Sequence, residues 1–113
     1  VEINPGIPPG DGWEPKHARY TSVRLLGNHP NPFSPMTRIE YCLPHPECVT
    51  LKVFDTAGRL VRTLMDGETM PAGHHAAVWQ ARNDRGRRVP SGVYLYVLDT
   101  GTRIQRDRAC VIE

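Results

Sequence analysis

The sequence predicts an all-β domain in which two antiparallel sheets pack as a sandwich. Apolar and polar residues alternate with a period of two over most of the chain, and no stretch of about ten residues shows the 3.6-residue period of a helix. Turn residues recur about every 8 to 12 positions. Seven strands within about 90 residues match the size of an immunoglobulin/fibronectin-like β-sandwich, which is the predicted fold class.

Composition fits one domain with one core, because the chain has 113 residues of which 39% are hydrophobic. The formal charge is +2 and acids and bases are mixed, so we expect no nucleic-acid partner. No run approaches the roughly 18 apolar residues of a membrane-spanning segment. The start, VEINPGIPPG, lacks Met and a signal-peptide core, which favours a mature or excised fragment.

Residues 1–21 differ from the rest in their density of proline and glycine, which no helix or strand tolerates. We predict a linker or extended arm over 1–21 and the sandwich over 22–113. The apolar side chains that could attach this arm to its own domain or to a neighbouring copy are Ile3, Ile7 and Trp13.

The strands follow from alternation between turn signals. They are predicted at residues 22–27, 37–43, 48–55, 59–65, 74–80, 92–100 and 103–112. In the second strand Ile39, Tyr41 and Leu43 share one face, which is the predicted core face. The third strand places Val49, Leu51 and Val53 in the same way.

The later strands are bounded by turn chemistry. The predicted turns are Asp55–Gly58, Asp66–Gly67, Asp84–Gly86 and Thr100–Gly101. The sixth strand, VYLYVL, is apolar on both faces, which predicts a central strand covered on both sides.

The sequence gives little support for a catalytic or metal site. Ser91 lies in PSGVY without the G-x-S-x-G elbow of a nucleophile, and Asp55 and Asp84 stand beside glycines as turn formers. His74 and His75 are adjacent on a strand and point to opposite faces. We therefore expect no enzyme, no metal and no cofactor.

A basic run lies between the fifth and sixth predicted strands. It could meet phosphate or an acidic sugar, although a solvated loop is the preferred interpretation. The run comprises Arg82, Arg85, Arg87 and Arg88.

The three cysteines leave two interpretations open. Cys42 and Cys48 flank a short turn, and by alternation each lies on the non-core face of its strand, so a disulfide is allowed if their Cα atoms approach within about 7 Å. The alternative is free thiols. Cys110, left over from such a pair, would be a buried small apolar group of the last strand or a partner in an intermolecular bond.

Three segments carry a resemblance to a known family: NHPNPFSPMTRIEYCLP, VTLKVFDTAGRLVRTL and PSGVYLYVL. Over residues 22–113 the chain resembles the C-terminal immunoglobulin-like sorting domain of type IX secreted bacterial proteins. That domain is related to the sandwich domain of the flagellar hook-capping protein. The most specific piece is the box Asn31, Pro32 and Phe33.

Proline chemistry gives this box a structural role as well. Pro30, Pro32 and Pro35 fix φ at three points, so the loop has little entropy to lose on folding. Phe33 can then plug one end of the sandwich. A contact for the export machinery is the second interpretation of the box.

The resemblance implies an exported, non-enzymatic module at the bacterial cell surface or outside the cell. It would be read by the secretion machinery through the box and through a terminal signal formed by Arg108, Ala109, Cys110, Val111 and Ile112. The competing function is a subunit of a surface filament or cap, in which the arm pairs with a neighbouring copy to form a homo-oligomer. A carbohydrate-binding module ranks last, because Trp13 and Trp79 are the only tryptophans.

Overall fold

Seven antiparallel strands form two sheets in a computed structural model of the chain, which describes residues 22–112. The strands are β1 (Arg24–His29), β2 (Thr37–Leu43), β3 (Glu47–Phe54), β4 (Leu60–Met70), β5 (Gly73–Trp79), β6 (Gly92–Asp99) and β7 (Ile104–Val111). One sheet has the order β1-β2-β5 and the other the order β4-β3-β6-β7. The predicted all-β sandwich is confirmed.

The predicted boundary between arm and sandwich is not tested, because residues 1–21 and 113 lie outside the described residues. Within residues 22–112 no helix is long and apolar enough to span a bilayer.

Alternation positions the core as predicted. Ile39, Tyr41 and Leu43 on β2 are at most 1% exposed and face the first sheet's inner side. The inner face of the other sheet is built by residues of β3 and β6, all in the same apolar cluster: Val49, Leu51, Val53, Tyr94, Tyr96 and Leu98. The core therefore fills the space between β2 and the β3–β6 pair.

Two sequence expectations about strands are wrong. β6 is central in its sheet, between β3 and β7, but only its inner face is buried: Val93 on the outer face is 42% exposed. Residues 22–112 form two layers, so within this range no further layer covers the outer face of β6. β4 does not end at the predicted Asp66–Gly67 turn, because Gly67 takes a φ of 66° within the strand and donates its N–H to Thr50 Oγ1 at 3.0 Å. Such a bulge bends a strand without ending it.

Candidate functional site

Asn31 binds the backbone of β7 through both ends of its side-chain amide. Cys110 N donates to Asn31 Oδ1 at 2.9 Å, and Asn31 Nδ2 donates to Arg108 O at 3.4 Å. The amide therefore replaces one peptide unit of a missing neighbouring strand. β7 pairs with β6 on its other side, so Asn31 lies against the free edge of the sheet.

Phe33 continues this pairing through its own backbone. Phe33 N donates to Cys110 O at 2.9 Å, and Ile112 N donates to Phe33 O at 3.0 Å. Phe33 and Val111 form an isolated parallel bridge. Four hydrogen bonds thus join the box to the terminal stretch, and the structure brings together two segments that the sequence analysis had selected separately.

The Phe33 side chain is 1% exposed and closes one end of the sandwich. Its ring lies 5.5 Å from that of Trp79, centroid to centroid, and Trp79 lies 5.4 Å from Tyr94 in an edge-on arrangement. Trp79 Nε1 donates to Arg82 O at 2.9 Å. The box, the end of β5 and the loop after it are therefore one packed unit.

A partly buried network of hydrogen bonds fixes the start of the box. Thr37 Oγ1 donates to Pro30 O at 2.7 Å, Asn28 Nδ2 donates to Thr37 Oγ1 at 3.1 Å, and Tyr96 OH donates to Asn28 Oδ1 at 3.0 Å. Burial, and then the charge of Asp107, raise the pKa of Tyr96, so its hydroxyl stays a donor. The peptide bonds preceding Pro30, Pro32 and Pro35 are cis.

A second clamp on β7 was not predicted from the sequence. Gln105 accepts the Leu25 N–H through Oε1 and donates from Nε2 to Val23 O at 2.9 Å. Nothing in the local sequence around Gln105 indicates this contact, since Val23 lies 82 residues away. Together, Gln105 and the box tie β7 to the other sheet and to the loop.

Within the predicted terminal signal, side chains divide into two sets. Ala109 and Val111 are each 1% exposed and belong to the core cluster. Arg108 is exposed, Cys110 is half-buried and Ile112 is 51% exposed. Asn31 and Pro32 are exposed beside them. The surface at this corner is therefore made of Asn31, Pro32, Arg108, Cys110 and Ile112, which we call the composite corner.

The Cys42–Cys48 disulfide is not formed; Cys42, Cys48 and Cys110 are free thiols. Cys42 lies on the outer face of the β1-β2-β5 sheet and Cys48 on that of the β4-β3-β6-β7 sheet. Sheets in a sandwich stand about 10 Å apart, so side chains on the two outer faces point away from each other. Alternation correctly predicted that each cysteine lies on the outer face of its strand. It could not predict that Cys42 and Cys48 lie in different sheets.

The turn aspartates have structural partners. Asp55 Oδ1 accepts the N–H groups of Ala57 and Arg59 at 3.0 and 2.9 Å, and these contacts, with Arg59 N first, lower the pKa of Asp55. Asp84 donates its N–H to Val61 O and accepts Thr63 N–H through Oδ1, both at 2.9 Å. Both residues form turns as predicted, and Asp84 also covers the outer edge of β4.

His74 and His75 each lie within hydrogen-bonding distance of another group. His74 Nε2 lies 2.9 Å from Glu40 Oε1, and His75 Nε2 lies 2.7 Å from Pro71 O. In the described part of the chain, no three His, Cys, Asp or Glu side chains converge on a metal position. The predicted arm contacts Ile3, Ile7 and Trp13 lie outside the described residues.

Comparison with known proteins supports the fold. A crystal structure of dimeric latent PorU from Porphyromonas gingivalis matches 80% of this chain with a TM-score of 0.63 and 18% identity, a likeness that shows the fold. The chain spans 9% of that protein's length. No curated protein matches the chain significantly.

A family model, the FlgD Ig-like domain, matches residues 36–103, so the box and the terminal stretch flank the matched range. These comparisons confirm that the chain is an immunoglobulin-like domain. The chain belongs to the FlgD Ig-like domain family.

Proposed function

We propose that this domain is a sorting module of an exported protein and that the secretion machinery reads it in the folded state at the composite corner. Membership of an immunoglobulin-like family fits a non-enzymatic module, so its function lies in what it attaches to. The resemblance to type IX sorting domains supports export to the cell surface or beyond.

The observation that carries the proposal is the pairing of box and terminal stretch through four hydrogen bonds. A receptor that reads an extended peptide pairs with its backbone. Here Phe33 and Asn31 already occupy the backbone groups of Arg108, Cys110 and Ile112. The receptor would therefore recognise exposed side chains of a folded corner.

A secretion assay tests this proposal. The full chain is fused behind a fluorescent reporter in a bacterium with type IX machinery, and reporter is measured in the medium, on the surface and in the periplasm. The test variant is Arg108→Glu with Ile112→Asp, which changes two exposed side chains. The control is Arg106→Glu with Ile104→Asp, on the same strand, where Ile104 is 60% exposed.

We expect the control to be exported like the wild type and the test variant to be retained in the periplasm. Thermal melting of both purified variants shows whether each is folded. Export of a folded test variant at the wild-type level would show that the composite corner is not the recognition site.

A structural role is the second candidate, and the edge position of β5 favours it. β5 pairs with β2 on one side only, so a strand from a neighbouring copy could add there. Light scattering on the full chain and on a version lacking residues 1–21 tests this function. A large assembly that the shortened chain cannot form would support a filament or cap subunit, whereas monomers in both cases would exclude it.

A further inference from the structure

A groove lies between β4 and β5 at the end of the sandwich closed by Phe33. Its first part, about 350 Å³, is lined by Arg62 and Leu64 on β4 and by Val78 on β5, with Gln80 and Arg82 at its end. Val78 is 45% exposed. The wall is thus formed by two edge strands, one from each sheet.

The groove continues past Gln80 and Arg82, which also line a second cleft of about 230 Å³. Met36, three residues after Phe33, and Arg88, at the end of the basic loop, also line this part together with Pro35. Met36 is 46% exposed. We call the continuous surface from Arg62 to Arg88 the arginine groove.

Within residues 22–112, the three guanidinium groups of this groove have no acidic side chain as a partner. In that range Glu40 lies beside Arg38 and His74, Glu47 beside His45, and Asp55 beside Arg59.

Arg62 and Arg82 donate instead to the neutral carbonyls of Asn83, at 3.4 Å, and Gly86, at 2.8 Å. A guanidinium has five N–H donors, so most of the donor capacity is unused. Arg85 and Arg87 on the same loop add further positive charge.

The loop that carries Arg82 and Arg88 is held in place by its own hydrogen bonds. Asn83 Oδ1 accepts the N–H groups of Arg85 and Arg87 at 2.9 and 3.0 Å, and Val89 N donates to Ala81 O at 2.9 Å. With the bond from Trp79 to Arg82 O, these contacts fix the direction in which the arginines leave the backbone. A preorganised cluster of cations loses little entropy when it binds an anion.

We propose that the arginine groove binds an extended acidic peptide segment of a partner protein, with carboxylates on the guanidinium groups and apolar side chains on Val78 and Met36. An extended peptide alternates its side chains, which suits arginines interspersed with exposed apolar groups. Among residues 22–112, Trp79 is the only aromatic residue lining the two clefts and is 1% exposed, so these residues offer no ring face for stacking with a sugar or base. This binding is independent of the composite corner.

Fluorescence anisotropy tests the proposal, with a fluorescein-labelled eight-residue peptide of alternating Glu and Val as the probe and the full chain as the binder. Val78→Glu places a carboxylate in the groove, and we expect about tenfold weaker binding. Val93→Glu is the matched control, because Val93 is an exposed valine of similar accessibility on the outer face of β6. We expect less than about a twofold change for it.

A second pair of variants separates the groove from net charge. Arg62→Gln with Arg82→Gln and Arg88→Gln removes the groove cations, and Arg24→Gln with Arg103→Gln and Arg106→Gln removes as many charges elsewhere. The proposal is supported if the groove variant loses affinity for the Glu–Val peptide and the other triple variant does not.

Three results would overturn it: equal weakening by Val78→Glu and Val93→Glu, equal affinity for a Lys–Val peptide, or binding of heparin when the Glu–Val peptide does not bind. If the triple arginine variant of the groove fails to fold, the comparison of Val78→Glu with Val93→Glu tests the proposal by itself.

Discussion

At the scale of single residues, Asn31 shows how one side chain can stabilise a strand edge. Asn31→Ala removes the acceptor for Cys110 N–H and the donor to Arg108 O, and water can replace them because the site is exposed. We expect a loss of about 1 kcal/mol in the free energy of unfolding, measured by urea denaturation. Asn31→Asp keeps the acceptor and should lose less; equal stability of the alanine variant and the wild type would refute the role.

Phe33 contributes through packing rather than polar contacts. Phe33→Ala leaves a cavity against Trp79 and should cost about 3–5 kcal/mol of unfolding free energy. Met36→Ala, three residues later and exposed, is the control and should lie within about 0.5 kcal/mol of the wild type. Urea midpoints and the near-UV circular dichroism of Trp79 measure both. Similar losses of unfolding free energy in the two variants would contradict the role of Phe33 as a buried residue that closes the end of the sandwich.

Which of these residues could be predicted depended on the range of their contacts. The box was visible in the sequence because prolines punctuate the chain locally. Its partners Arg108 and Cys110 lie 77 and 79 residues from Asn31, and no local pattern encodes a pairing over that separation. The choice between a Cys42–Cys48 disulfide and free thiols stayed open in the sequence for the same reason, since alternation indicates a face but not a sheet.

At the scale of elements, the four-stranded sheet has two outer edges, and each is covered by a loop residue. The box covers β7, and Asp84 covers β4 at Val61 and Thr63. Exposed edges invite pairing with other chains, so these caps restrict where another strand can add. The outer edge of β5 belongs to the other sheet.

The cap on β4 can be tested by replacing the Asp84 side chain. Asp84→Ala removes the acceptor for Thr63 N–H, so amide hydrogen exchange at Thr63 should become about five- to tenfold faster. Asp84→Asn retains an Oδ1 acceptor and should stay close to the wild-type rate. An unchanged rate in the alanine variant would mean that Thr63 is protected by something other than this side chain.

Strand positions followed from alternation and turn residues, whereas sheet order did not. The predicted strands agree with the observed ones to within two residues at most ends, except where Gly67 extends β4 to Met70. The pairing of β2 with β5 and of β3 with β6 joins strands that are not consecutive in the chain. The alternation within a strand does not depend on which strand pairs with it, so the order of strands in each sheet could be read only from the structure.

At the scale of the whole molecule, each sheet places a tyrosine hydroxyl inside the sandwich. Tyr41 OH donates to Met65 Sδ at 3.4 Å, across from one sheet to the other, and Tyr96 OH donates to Asn28 beneath the box. Burial, and then the charge of Glu68, raise the pKa of Tyr41 from 10.0 to about 12. The same cause raises the pKa of Tyr96. In the folded domain these two hydroxyls therefore keep their protons to a higher pH than an exposed tyrosine does.

Alkaline pH should therefore unfold the domain cooperatively. Unfolded tyrosines release their protons near pH 10, whereas Tyr41 in the folded state holds its proton to about pH 12. The associated stability is complete below pH 10 and is lost as the pH rises from 10 towards 12, because the unfolded state binds fewer protons there. Urea midpoints measured between pH 8 and 11.5 should fall in that window, and Tyr41→Phe should make the fall shallower.

Absorbance at 295 nm supplies the independent check, because it reports tyrosinate directly. Of the four tyrosines, those at positions 41 and 96 should ionise only as the far-UV circular dichroism of the sandwich is lost. Tyr41→Phe should remove one of these two late protons. Ionisation of all four near pH 10 with the circular dichroism intact would mean that solvent reaches both hydroxyls in the folded domain, and the closed core described between the sheets would be wrong.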